Sequence, residues 1–244
     1  MRGFPPQAAR WLVSALASIL LAVPALAQTS GATLAWVDQF GARQVFEPAH
    51  SVAIGGTSVF VAGTANANSG LHPSYLRSYS RGGALQWALA LDTGSSRPPA
   101  VAADGDRVCV GGTRRQTLDT PVEALPRDDG FARCLDHGGA LLWDGSVDVE
   151  QAGPFPPSTV VTALVLTANA LYVTGATSGV LSGECDGPCQ SSGGYDAFVR
   201  KYVAADEGFR LVWTRQWGTV DNDSFNGLAV GPAGELRVWG LAQR

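Results

Sequence analysis

Short apolar runs alternate along this chain with turns rich in glycine and aspartate, and the runs return in a fixed order. One pairing occurs four times. Ser51-Val52-Ala53-Ile54 leads to Val59-Phe60-Val61-Ala62-Gly63, and Ala100-Val101-Ala102-Ala103 leads to Val108-Cys109-Val110-Gly111-Gly112. Leu164-Val165-Leu166 leads to Leu171-Tyr172-Val173-Thr174-Gly175, and Leu228-Ala229-Val230 leads to Leu236-Arg237-Val238-Trp239-Gly240. From Ala53, Ala102, Val165 and Val230 to the closing glycine (Gly63, Gly112, Gly175 and Gly240) is ten residues each time. Runs this short, joined by Gly55-Gly56, Asp104-Gly105 or Ala233-Gly234, predict β-hairpins.

Two further elements accompany that hairpin. The first is Tyr75-Leu76-Arg77, Phe131-Ala132-Arg133 and Phe198-Val199-Arg200, with Asp129 and Asp196 two residues ahead in two copies. A period of two places Asp196, Phe198, Arg200 and Tyr202 on one face of a strand. The second is a tryptophan after an apolar pair: Leu34-Ala35-Trp36, Leu85-Gln86-Trp87, Leu141-Leu142-Trp143 and Leu211-Val212-Trp213, at intervals of 51, 56 and 70 residues. Residues 193–218 hold the best-preserved run of these elements.

The unit is therefore four short strands, a to d, over roughly fifty residues, a propeller-blade period. A single four-stranded blade leaves both faces bare, and stacking covers them, which accounts for apolar residues on both faces of most strands. The expected fold is all-β, a partial or small β-propeller with blades over about 49–91, 99–147 and 160–217. A partial blade is expected from 34–40, as a d strand, and 225–241. No c strand stands between those last two pieces. An imperfectly closed ring, an open arc and a piece of a longer repeat protein all fit. An open arc leaves a blade edge free for self-association.

Composition agrees with strands and tight turns. Only 16% of the 244 residues are charged, 45% are hydrophobic, and there are 30 glycines and 14 prolines, too apolar for disorder and too glycine-rich for helices. The first residues read as an export leader: Arg2 and Arg10, an apolar stretch over 11–23, then Pro24-Ala25-Leu26-Ala27, with cleavage expected after Ala27. A membrane anchor is the other reading, but the apolar stretch is short and Gln28-Thr29-Ser30 follows closely. Loss of 1–27 removes two arginines and no acid, taking the net charge from −4 to −6. That balance argues against nucleic acid and anionic membrane as partners.

Cys109, Cys134, Cys185 and Cys189 make an even set that suits two disulfides in an oxidising compartment. Gly187-Pro188 between Cys185 and Cys189 permits the reversal a short bridge requires. If Gly112 faces Phe131 across a hairpin, the antiparallel register sets Cys109 against Cys134, either as a cross-strand disulfide or as two buried thiols.

Residues 193–240 resemble the bacterial SBBP β-propeller repeat, whose pattern is a G-x-D-A-F-V-x-K strand, a W-x-x-x-x-G-T strand, a V-A-V-D strand and an N-V-Y-V-T-G strand. Here these read Gly194-Tyr195-Asp196-Ala197-Phe198-Val199-Arg200-Lys201, then Trp213 to Thr219, then Leu228-Ala229-Val230, then Leu236-Arg237-Val238-Trp239-Gly240. Over 36–143 the aspartate, lysine and threonine positions drift. The resemblance implies a fold and an exported protein, and little chemistry.

The connections carry the functional signal. From Gly63 to Tyr75 is 12 residues, from Gly112 to Phe131 is 19, and from Gly175 to Phe198 is 23, whereas the a–b connections are constant. In an up-and-down blade the b–c and d–a connections share one end, and variation confined to one end marks a binding side or neutral drift. The stretch 177–192 stands out. Arg77, Arg133 and Arg200 read as framework groups paired with carbonyls, Asp129 or Asp196 rather than as catalysts. The recurring tryptophans read as blade packing. Trp239, where the other copies have Ala62, Gly111 and Thr174, is expected to be partly exposed. Asp221-Asn222-Asp223 reads as a d–a turn, with calcium as a weaker alternative because the rest of a calcium loop is missing. His50, His72 and His137 fall apart from one another, Asp38, Asp92 and Asp148 form no evident catalytic pair, and no nucleophile, zinc or phosphate motif occurs.

These observations point to an exported binding or structural module without catalysis, meeting an extracellular or periplasmic protein or glycan through its variable connections. A hydrolase or lyase with carboxylates at the propeller mouth is the alternative, and a truncated repeat protein without a separate function is the third.

Overall fold

The computed structural model describes residues 34–41, 47–65, 73–91, 99–119, 124–150, 156–187 and 189–243. The expected leader, His72 and Asp92 lie outside them. The described chain is all β. Strands β1 (Ala49–Gly55), β2 (Ser58–Thr64), β3 (Ser74–Ser80) and β4 (Leu85–Leu91) make one antiparallel sheet in chain order. Strands β5 (Ala100–Ala103), β6 (Arg107–Asp119), β7 (Ala124–Asp136) and β8 (Leu141–Val147) make a second. The third consists of β10 (Thr159–Leu166), β11 (Ala170–Thr177), β13 (Asp196–Ala205) and β14 (Gly208–Trp217). The hairpin of β15 (Asp223–Val230) and β16 (Leu236–Ala242) follows. Two short strands, β9 (Val149–Glu150) and β12 (Val180–Leu181), pair with each other. Residues 34–41 form no strand, so the d strand expected over 34–40 is not formed.

Register explains the recurring residues. Gly63 faces Tyr75, Gly112 faces Phe131, and Gly175 faces Phe198. Two residues further along the same strand pairs, Val61, Val110 and Val173 face Arg77, Arg133 and Arg200. A β-bulge sits at the same place in three first strands, at His50, Thr162 and Asn226. Bulging turns a carbonyl toward the framework glycine. A Cβ on Gly63 would lie 2.2 Å from the Pro48 carbonyl oxygen, on Gly175 1.8 Å from that of Val160, and on Gly240 1.8 Å from that of Ser224. Glycine is the residue that fits there.

A second bulge explains the tryptophan motif. Gln86, Leu142 and Val212, each just before a tryptophan, are the unpaired residues of the fourth strands, and Trp87, Trp143 and Trp213 resume pairing opposite Ser78, Cys134 and Lys201. In the first two sheets a turn closed by a left-handed glycine, Gly83 at φ 88° or Gly139 at φ 92°, joins the third and fourth strands.

The constant ten-residue spacing conceals one difference. The first three a–b hairpins pair through two-residue loops, but the fourth pairs Val230 with Leu236, and Gly231 closes on Glu235. In register, Ala229 rather than Val230 therefore matches Ala53, Ala102 and Val165.

The sheets stack in chain order: β5 packs on β1, β10 on β5 and β6, and β15 on β10 and β11. Two apolar layers result. Phe60, Ala62, Leu76 and Leu91 meet Val108, Val110 and Leu135 between the first and second sheets. Cys109, Ala132, Cys134 and Val147 meet Val161, Leu164, Leu171 and Val173 between the second and third. Each fully buried apolar side chain of this size stabilises the fold by about 1.5–3 kcal/mol. Tryptophans lock successive sheets. Trp87 donates its indole N–H to the His137 carbonyl at 2.8 Å and lies over Gly139. Trp143 packs edge-on against Tyr202 and Phe209, at 5.3 and 5.4 Å.

Both cysteine pairs are bonded: Cys109–Cys134 across the β6–β7 ladder and Cys185–Cys189 within the β12–β13 connection. Two bonded pairs suit an oxidising, extracellular-type environment. No helix among the described residues is long and apolar enough to cross a membrane.

Candidate functional site

The β2–β3, β6–β7 and β11–β13 connections share one end of the sheets with the β4–β5, β8–β10 and β14–β15 connections, as the meander order requires. The structure differs from a set of loose loops there. The β6–β7 insertion continues the ladder beyond the sheet as a two-stranded ribbon from Thr113 opposite Gly130 to Asp119 opposite Ala124. The stretch 177–192 is pinned. Its β12 pairs with β9 from the preceding connection, and Gln216 of β14 donates to the carbonyls of Gly179 and Gln190 and accepts from the Leu181 amide. Glu184 and Asp186 bond the Thr214 backbone, and Asp186 pairs with Arg215 at 2.5 Å. This connection covers the edge of β14, a structural task that its length alone did not reveal.

Four clefts lined by described residues open at this end. The first, about 360 Å³, lies where the ribbon leaves the second sheet, between Arg114, Gln116, Arg127 and Asp129 on one side and Asp144, Ser146 and Asp148 on the other. Its charges are largely matched. Arg127 pairs with Asp129, Arg133 pairs with Asp144 at 2.6 Å, and Ser146 donates to Asp148. Arg114 has no acid partner among the described residues, and its guanidinium carbon sits 5.5 Å from the centre of the Phe131 ring. Gly145 leaves room for the Trp143 indole, which would lie 2.3 Å from a Cβ there.

The second, about 340 Å³, lies between the third sheet and the last hairpin and is lined by Thr162, Tyr195, Asn222, Ser224, Asn226 and Gln243 among others. Thr162 and Asn226 are the bulged residues of consecutive first strands, and bulges re-aim side chains in this way. A smaller cleft shares Asp223 and Leu241 with it and reaches Trp217, which is 47% exposed, and a fourth meets the other side of Trp217 from Asp186, Arg215 and Gln216. Amide, hydroxyl and indole groups together suit polar, uncharged ligands.

Of the framework arginines, Arg200 takes carbonyl partners of the kind expected, whereas Arg133 and Arg77 take others. Arg200 is buried and donates to the carbonyls of Asp148 and Ser182, tying the third sheet to the β9–β12 pair. Arg133 takes Asp144, whereas Asp129 takes Arg127 and Asp196 accepts from the Ser192 amide and Gln216. Arg77 stacks on Phe40, with its guanidinium carbon 3.4 Å from the ring centre, and bonds the Tyr79 hydroxyl. Alternation along a strand gives the face of each arginine but not the neighbour that comes up to it.

Of the histidines, His50 bonds Thr64 and is held below the ordinary imidazole value by burial. His137 packs on Phe60. In the stretch read as a turn or calcium loop, Asp223 accepts from the Thr219 amide and hydroxyl, and Asn222 accepts from the Tyr195 amide. The Asp223 contacts lie within the turn, and the Asn222 contact ties it to the residue before β13. Among the described residues no three His, Cys, Asp or Glu side chains gather as metal ligands. Trp239 is at the surface, 57% exposed. The tyrosine hydroxyl of Tyr202 is raised above its ordinary value, first by burial, with Arg200 acting in the opposite direction. Compared with known families and with characterised proteins, the chain matches no family model and no characterised sequence.

Proposed function

We propose that this is an exported β-propeller-type repeat protein, akin to the SBBP repeat proteins, that acts as a binding module through the end carrying its variable connections. The observation that carries this reading is the position of the four clefts, each of which opens at that end. Three blades and a partial fourth are supported by three four-stranded sheets and a hairpin whose first strands succeed one another. Export is supported by the two disulfides and by the leader-like residues 1–27. The ligand class is an extracellular or periplasmic glycan or protein, and the neutral hydrogen-bonding groups of the second cleft, with exposed Trp217 in the cleft that shares Asp223 and Leu241 with it, favour a glycan.

The test is binding of the purified chain to a panel of polysaccharides, compared with Asn222→Ala, Trp217→Ala and Arg114→Ala at the cleft end and Asp106→Ala at the other. Loss of about tenfold or more in affinity with the cleft variants alone is expected, the size of one good hydrogen bond or aromatic contact. Equal loss with Asp106→Ala, or none with any cleft variant, sinks the reading.

A hydrolase or lyase is the second reading, because Asp129, Asp144 and Asp148 line one cleft. Asp129 and Asp144 are each engaged by an arginine, Arg127 and Arg133, rather than left free to face a substrate, which leaves Asp148 as the carboxylate to test. Turnover of a polysaccharide by the wild type and its loss in Asp148→Asn would establish this second reading in place of the first.

A further inference from the structure

The second strand of each complete sheet is flanked on both sides, β2 by β1 and β3, β6 by β5 and β7, and β11 by β10 and β13. Among the described residues β16 is flanked by β15 alone. Its burial shows the difference. β2 and β11 are mostly buried, whereas β16 is exposed from Trp239 to Ala242. We propose that the free edge of β16 accepts an extended segment in trans by β-strand addition, and that this segment carries an aromatic residue followed two positions later by arginine.

The chemistry of the occupant is read from three precedents in the chain. Gly240 and Val238 correspond to the glycine and valine of β2, β6 and β11. In every complete sheet the adjoining strand sets Tyr75, Phe131 or Phe198 against that glycine and Arg77, Arg133 or Arg200 against that valine. The Cys109–Cys134 pair fixes which backbone groups bond. Its Cα atoms are 4.0 Å apart, the close spacing of a non-hydrogen-bonded pair. The pairs that alternate with it, Val110–Arg133 and Gly112–Phe131, are then the hydrogen-bonded ones. By correspondence, the N–H and C=O of Val238 and Gly240 point out of the free edge.

A second observation shows that the occupant brings a second strand. Trp87 and Trp143 are each lodged against the third-to-fourth-strand turn of the next sheet, at Gly139 and Gly208. No such turn reaches Trp213 among the described residues. Its face instead presents a row of rings and cations: Tyr172 lies 6.3 Å from Trp213, Lys201 5.6 Å from the Tyr172 ring, and Arg215 5.3 Å from the Trp213 ring. A hairpin added to β16 covers this row. The fitting partner is a third-and-fourth-strand hairpin from a repeat of the same kind.

The probe is a synthetic peptide with the sequence of residues 194–218, the best-preserved third-and-fourth-strand hairpin. It is titrated into the purified full chain by calorimetry, beside a scrambled peptide and a peptide with the phenylalanine matching Phe198 changed to asparagine. Saturable one-to-one binding is expected, about tenfold or more weaker for both control peptides. Val238→Pro removes an outward amide that has no partner among the described residues, so the fold tolerates it while binding falls at least about tenfold. Hydrogen exchange gives a reading independent of that variant, since the peptide slows exchange at the Val238 and Gly240 amides. Three results each overturn the proposal: no saturable binding up to about 1 mM, equal binding of the scrambled peptide, or unchanged exchange at those amides. Protection of the same amides without peptide, in a dimer joined through two β16 edges, overturns it as well.

Discussion

Replacing Cys109 and Cys134 together by alanine should destabilise the protein more than replacing Cys185 and Cys189 together. The first bridge spans a sequence separation of 25 and the second a separation of 4. Loop-closure entropy gives about 3.5 kcal/mol for the longer loop and about 2 kcal/mol for the shorter, a difference of about 1.5 kcal/mol. For a domain of this size the longer loop then corresponds to a drop in Tm of about 7–14 °C. Both Cys109 and Cys134 are fully buried, so alanine also removes packing. Reduction of the wild type separates the two effects, because the thiols keep the sulfur atoms in the core. The assay is guanidinium unfolding of both double variants and of the wild type with and without reductant, followed by tryptophan fluorescence. An equal midpoint for the two double variants, or a larger loss for the shorter bridge, would refute the loop-closure reasoning. A reduced wild type as stable as the oxidised one would refute it too.

Three other predictions follow from local geometry. Gly175→Ala drives a Cβ to 1.8 Å from the Val160 carbonyl oxygen and should cost about 3 kcal/mol or more. Gly112→Ala meets the Phe131 ring at 3.2 Å and the Pro99 backbone at an ordinary 3.6 Å, and should cost about 1 kcal/mol, with thermal unfolding as the check. Arg200→Met leaves the Ser182 carbonyl without its donor, while the Asp148 carbonyl keeps the Ser182 amide and hydroxyl, and should cost about 1–3 kcal/mol. Arg133→Met loses only a partly exposed pair and should cost under about 1 kcal/mol in the same unfolding experiment. Asp104 is raised by burial but pulled down more by the Arg107 side chain and the amides of Asp106 and Arg107, so it ends below the ordinary aspartate value. Its stabilisation is full above that ordinary value and fades as pH falls through the depressed one. The gap between wild type and Asp104→Asn in unfolding at stepped pH should therefore close only on the acid side, and a gap that closes toward neutral pH contradicts the assignment.

Strand order, the hairpins and the Cys109–Cys134 pairing were legible because each follows from period-two alternation and antiparallel register, which are properties of the local chain. The tryptophan recurrence was visible, but its cause was not. Whether Gln86, Leu142 and Val212 pair or bulge is settled by strand curvature and packing, and the three residues share no side-chain type. The four equal spacings to Gly63, Gly112, Gly175 and Gly240 masked the longer turn at residues 231–235, because the fourth was counted from Val230, one residue past the Ala229 that matches in register. Leu34-Ala35-Trp36 carries the same signature as Leu85-Gln86-Trp87, yet residues 34–41 form no strand. A strand needs a neighbour to receive its hydrogen bonds, and the motif does not encode one. The clefts were legible only as an end of the molecule, since Asp144 and Arg133, or Thr162 and Asn226, come together through contacts across strands and sheets.

The order in which the sheets succeed one another bears on how the chain folds. Each four-stranded sheet takes its strands from one stretch, finished before the next four-stranded sheet begins, so most pairings join residues close in sequence. Contact order is then low for an all-β molecule, and low contact order shortens the search for the native topology. A chain released from its N-terminus forward can close β1 to β4 before β5 is available, then use that sheet as the template on which β5 and its partners condense. Assembly becomes directional, each sheet nucleating the one that follows.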